Sequence, residues 1–151
     1  MMKKSERLKT IVDLNATQEK NALELFGQVQ KRQVELQRQI DHLIKYRSEY
    51  RQKFDAFCEA GARVGQVLEF KSFLDKLDKA ISGQEKALQA LELELSRVRN
   101  NWVNLHNRTK SLSKLCEAAQ ADEMKQQDRR EQNELDDRVS SGRRTGTKNA
   151  G

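Results

Sequence analysis

From Val67 to Ala119 apolar residues return at two alternating positions of a seven-residue repeat, and this feature most constrains what the chain can fold into. Val67, Leu74, Ile81, Leu88, Leu95, Trp102, Thr109 and Cys116 form one row. Phe70, Leu77, Gln84, Leu91, Val98, Leu105, Leu112 and Ala119 form the other. A 3.5-residue period held for about seven heptads predicts a left-handed coiled coil. An earlier stretch carries the same pattern less cleanly. Leu8, Val29, Leu36, Leu43, Tyr50 and Phe57 share one position, with Asn15 and Ala22 filling its gaps, while Val12, Glu19, Phe26, Gln33, Ile40, Arg47 and Phe54 share the other. Polar residues in a seam lower stability while helping to fix register.

Composition agrees with a helical assembly and a narrow seam. The chain of 151 residues has no proline, 34% charged residues and only 5% aromatics. Helices can therefore run far past the usual few turns, and there is little material for a thick core. The break falls at Glu-Ala-Gly-Ala-Arg-Val-Gly, residues 59–65. A short loop between two long helices predicts an antiparallel hairpin with paired positions adding to about 124. That register sets Leu36 against Leu88, Val29 against Leu95, Ala22 against Trp102, and Asn15 against Thr109. The expected class is all-α, an antiparallel coiled-coil hairpin whose second helix extends past the first. Its expected bounds are helix 1 over about 5–58, a loop over about 59–66, helix 2 over about 67–138, and a disordered basic tail over 139–151.

Other functions find little support. There is no GxxxxGK[ST] loop, no HExxH and no glycine-rich turn after a strand. His42 and His106 are isolated in sequence and Cys58 and Cys116 lack CxxC spacing, so no metal site is expected. A hairpin puts Cys58 near the loop and Cys116 far down the second arm, so no intramolecular disulfide is expected. Carboxylates such as Glu92 and Glu94 fall on a helix surface, where no cleft raises a pKa for acid or base work. The expectation is a non-catalytic protein without cofactor. Formal net charge is +6, with Lys3, Lys4, Arg7 and Lys9 near the start and Arg138, Arg143, Arg144 and Lys148 near the end. In a coil most such charges are a solvated face, and nucleic-acid binding is not expected. No run approaches the apolar length of a membrane span and no leader pattern opens the chain, which predicts a cytosolic protein without direct membrane insertion.

Two stripes remain unexplained by a plain coil. Gln39, Leu43, Tyr46 and Tyr50 lie before the break, and Phe73, Leu77, Ala80 and Gln84 after it, each set spaced i, i+4, i+7, i+11 along one helix face. Gln39, Tyr46, Phe73 and Ala80 occupy the seam-flanking position g. In an antiparallel pair the g positions of both helices share one side, so the stripes merge into one patch near the loop. Flanking positions normally carry Lys or Glu; exposed aromatic side chains there are the material of protein-binding hot spots.

The runs Gln39-Ile-Asp-His-Leu43-Ile-Lys-Tyr46-Arg-Ser-Glu-Tyr50-Arg51 and Phe73-Leu-Asp-Lys-Leu77-Asp-Lys-Ala80-Ile81, with the glycine-bearing break between them, resemble the FliJ family, the coiled-coil component of the bacterial flagellar type III export apparatus. The resemblance covers nearly the whole chain. It implies a stalk-like protein whose two helix ends enter the hexameric flagellar export ATPase, promoting its assembly and ATP hydrolysis. It further implies contact with the cytoplasmic linker of the export gate membrane protein and handling of flagellar export chaperones. The positions matching the gate-contacting patch are Gln39, Leu43, Tyr46, Tyr50, Phe73, Leu77, Ala80 and Gln84, the last standing where some relatives have histidine. The ATPase-binding end would be the N-terminal segment and the helix beyond Ala119. A monomeric hairpin, held at the cytoplasmic face of the inner membrane through the export apparatus, is the implied state. The alternatives are the stalk protein of a virulence type III secretion system and an unrelated dimeric coiled-coil adaptor.

Overall fold

The computed structural model describes the backbone of residues 2–149 and the side chains of residues 2–143. It is all-α, a hairpin of two helices, α1 (Lys4–Glu59) and α2 (Val64–Asn149). Cα packing divides it into two compact units, Met1–Glu19 with Leu105–Gly151, and Lys20–Asn104.

Local chemistry explains both ends of α1. At its start the Glu6 carboxylate accepts a hydrogen bond from the Lys3 backbone N–H at 3.4 Å, the reach-back half of a capping box, and adds an acid to the first turn. At its end Gly61 takes φ +88° and its N–H donates to the Cys58 carbonyl at 3.3 Å, the left-handed stop that glycine adopts without steric cost. Residues 60–63 make the connection, and the first carbonyl bond of α2 runs from Val67 N–H to Arg63 O at 3.1 Å. The loop is thus shorter than the expected 59–66, because Val64, Gly65 and Gln66 are already helical.

Within the unit Lys20–Asn104 the seam is apolar. Val29 is fully buried, and Ala22, Ile40, Leu74, Leu77, Ile81 and Val98 are buried beside it. Phe26 stacks on Trp102 with ring centroids 6.3 Å and planes 5° apart. Arg47 and Asp78 meet at 3.0 Å, and Phe54 and Phe70 at 5.7 Å between ring centres. Phe26 and Trp102 meet about one turn off the expected register, whereas Arg47 with Asp78 and Phe54 with Phe70 add to within about one of the expected 124. A slip of one heptad would part them.

The unit Met1–Glu19 with Leu105–Gly151 has a different seam, in which Ser5, Asn15, Cys116 and Ala119 are the buried residues. Asn15 and Thr109 turn to their own helices, Asn15 Nδ2 donating to Ile11 O at 3.0 Å and Thr109 Oγ1 to Leu105 O at 2.9 Å. Ser5 and Glu123 add a layer that the apolar pattern did not mark, with two hydrogen bonds between them. From Met124 to Arg143 every side chain of α2 is exposed. The register explains this, since α1 has begun by Lys4 and offers nothing to pack on. α2 nevertheless runs to Asn149, past the expected helix end near residue 138. No proline interrupts it and Gln–acid pairs four residues apart, such as Gln127 with Glu131, favour helix locally. The side chains of Arg144 and Lys148, in the expected basic tail, lie outside the described residues.

Candidate functional site

All eight patch positions lie in the unit Lys20–Asn104. Heptad geometry puts Tyr46 and Phe73 beside the seam rather than in it, and they remain 48% and 36% exposed. Their rings meet edge to face, with centroids 6.3 Å apart and planes at 83°. Tyr50, half-buried in the seam, ties the pair together, its ring 4.6 Å from Phe73 and 6.2 Å from Tyr46. The two stripes are therefore joined across the helices through three aromatic side chains. Such contacts contribute about 0.5–1.5 kcal/mol each beyond the area they bury.

The cluster extends further than the stripes. Phe70 lies 5.0 Å from Tyr50 and 5.1 Å from Phe57, and Phe54 completes the group. Every aromatic residue of the chain except Phe26 and Trp102 thus gathers here. Phe54, Phe57 and Phe70 fill seam positions in the sequence pattern, and only the fold reveals that they support the exposed pair from below.

The other positions behave differently from one another. Gln39, Leu43 and Gln84 line a shallow groove of about 400 Å3 together with Glu35, Arg38 and His42. Arg38 holds the Glu35 carboxylate at 2.8 and 2.9 Å, and that hydrogen-bonded charge lowers the Glu35 pKa from its ordinary value. Gln84 Oε1 is buried with no hydrogen-bond partner, a cost of about 1–3 kcal/mol for an amide placed in the seam. Ala80 is exposed. Leu77 is only 8% exposed, so it packs in the core beneath the patch rather than presenting a surface. A d position between two helices closes over an aliphatic side chain, whereas g stays open.

Charge lies on the other flank. Arg47 leaves the seam to meet Asp78, and Arg51 approaches the same carboxylate at 3.8 Å. These partly exposed pairs contribute up to about 1 kcal/mol and help hold register. In the other unit His106 Nδ1 lies 2.6 Å from Glu19 Oε1, a partner that sequence distance conceals. Both cysteines are free thiols, Cys58 exposed and Cys116 buried. Among the described residues no group of three or more His, Cys, Asp or Glu gathers to hold a metal, and no helix is long and apolar enough to cross a membrane.

The chain is similar to known flagellar proteins. It is 23% identical over 130 residues, 86% of its own length and 88% of the relative's, to the flagellar FliJ protein of Escherichia coli strain K12. No solved structure matches it. The profile of the family described as flagellar FliJ protein matches residues 3–146, nearly the whole of the helical hairpin. The chain belongs to the FliJ family of flagellar proteins.

Proposed function

We propose that this protein is a non-catalytic, stalk-like partner of the hexameric flagellar export ATPase, promoting ring assembly and ATP hydrolysis while its aromatic patch contacts the export gate. The family makes it a component of flagellar export. The observation that carries the rest is the exposed Tyr46–Phe73 pair, held at seam-flanking positions where a coil that only dimerised would place charge. Gln39, Leu43 and Gln84 extend the contact along the groove, Ala80 lies on the same flank, and Leu77 supports it from the core. The stretch of α2 from Met124 to Ser140, polar and exposed, suits a segment that gains its packing inside a ring. In this reading the stalk adds no catalytic group. It shifts the ATPase subunits between conformations by contacting them unequally, the only way a bound partner moves such an equilibrium. Handling of export chaperones, and residence at the cytoplasmic face of the inner membrane through these partners, belong to the same proposal.

The test is ATP turnover by the purified flagellar export ATPase, titrated with this chain at fixed low salt. A saturable rise accompanied by ring formation is the expected result. A flat titration with folded protein rejects the stalk role. Greater stimulation of a virulence-system ATPase than of the flagellar enzyme would move the role to that system.

A further inference from the structure

The start of α1 is tied to α2 at one residue. Ser5 is 6% exposed, and its N–H and Oγ–H donate to the two oxygens of Glu123, at 3.1 and 2.6 Å. The Cys116 thiol approaches the Ser5 carbonyl at 3.5 Å. Ser5 N–H belongs to the first turn of α1, where the helix itself supplies no acceptor, so Glu123 caps α1 from the other helix. A carboxylate there also meets the positive end of the helix dipole.

The seam next to this tie is weak. Asn15 keeps a buried Oδ1 without a partner, and Glu19 and Thr109 occupy seam positions that an aliphatic residue would fill more stably. Past Glu123 nothing described in α2 is covered. One pair of hydrogen bonds to a carboxylate thus closes an end where, beside the buried Cys116 and Ala119, the seam residues Leu8, Val12 and Leu112 are only half-buried.

We infer that Ser5 and Glu123 form a latch, and that releasing it lets residues 4–14 of α1 detach from α2 while the unit Lys20–Asn104 stays folded. The opened state bares Leu8 and Val12 on one helix and Leu112, Cys116 and Ala119 on the other. The inference is independent of the stalk reading. Around the carboxylate stand Lys3 just before α1, Lys4 and Ser5 from α1 and Asp122 from α2, with the Cys116 thiol on the Ser5 carbonyl. The Ser5 hydroxyl and N–H, with the Lys3 charge, hold the Glu123 pKa below its ordinary 4.5 against the opposing effect of desolvation. A lowered folded-state value means the latch is fully made above about pH 5 and weakens as pH falls through the region below 4.5.

Amide hydrogen exchange on the full chain, corrected for intrinsic rates, tests this. In Glu123→Gln and in Ser5→Ala, amides of residues 5–14 should exchange at least about fivefold faster than in the wild type, with residues 20–104 unchanged. As acid protonates Glu123, in the region below pH 4.5, exchange of residues 5–14 in the wild type should rise toward the Glu123→Gln rate. A smaller increase in either variant overturns the latch. So does an equal increase across residues 20–104, or a wild type whose residues 5–14 keep their protection once Glu123 is protonated.

Discussion

Single residues set two features that substitution can isolate. Gly61 holds φ +88°, and although open space surrounds it, an alanine there would push its Cβ against its own backbone. Gly61→Ala should cost about 1–2 kcal/mol, read as a lower urea midpoint with unchanged slope. Tyr46 and Phe73 are the opposite case, since both remain substantially open to water while touching each other. Replacing both by alanine should leave far-ultraviolet ellipticity within a few per cent of the wild type while abolishing motility and the proposed binding to the export gate linker. Lost helicity would place the two rings among the residues that hold the coil together. Of the eight stripe positions, the pattern identified which residues share a side. It placed Leu77 and Tyr50 in the seam but left open that Tyr50 bridges the exposed pair, because ring contacts depend on how the opposite helix fills each layer.

At the scale of the helix, length rests on what the chain lacks as much as on what it packs. Without proline, α1 passes through Gly27 unbroken, and no atom lies within 4 Å of a Cβ built there. Gly27→Ala should therefore stabilise the protein by about 1 kcal/mol, by narrowing the unfolded ensemble, measured as a higher urea midpoint. An unchanged or lower midpoint would show that the glycine relieves strain absent from this structure. The seven-residue rows were legible in the sequence almost completely, since every seam position of both helices is buried or half-buried. Ser5 and Glu123 were not, because a serine and a glutamate carry no apolar signal and their pairing crosses most of the chain. The ends were also less legible than the middles. Where α2 has no partner helix, only local propensity fixes its boundary, and propensity changes gradually along a sequence.

For the whole molecule the question is what completes it. The two helices already cover each other's seams, so the chain has no need of a second copy for its core. Light scattering at micromolar concentration should give the mass of one chain. A stable dimer would favour the adaptor function over the stalk. The heptad repeat, the glycine break and the absence of proline determined by themselves that two long helices pack antiparallel, with a register open to a slip of one heptad, because a 3.5-residue period leaves an apolar stripe that only another helix can cover. Only the tertiary structure decided which groups meet across that seam. It joined Tyr46 to Phe73, gave His106 to Glu19, and capped α1 with Glu123. Those pairings depend on side-chain reach and on the size of the residue opposite, and a repeat read along one strand of sequence carries neither.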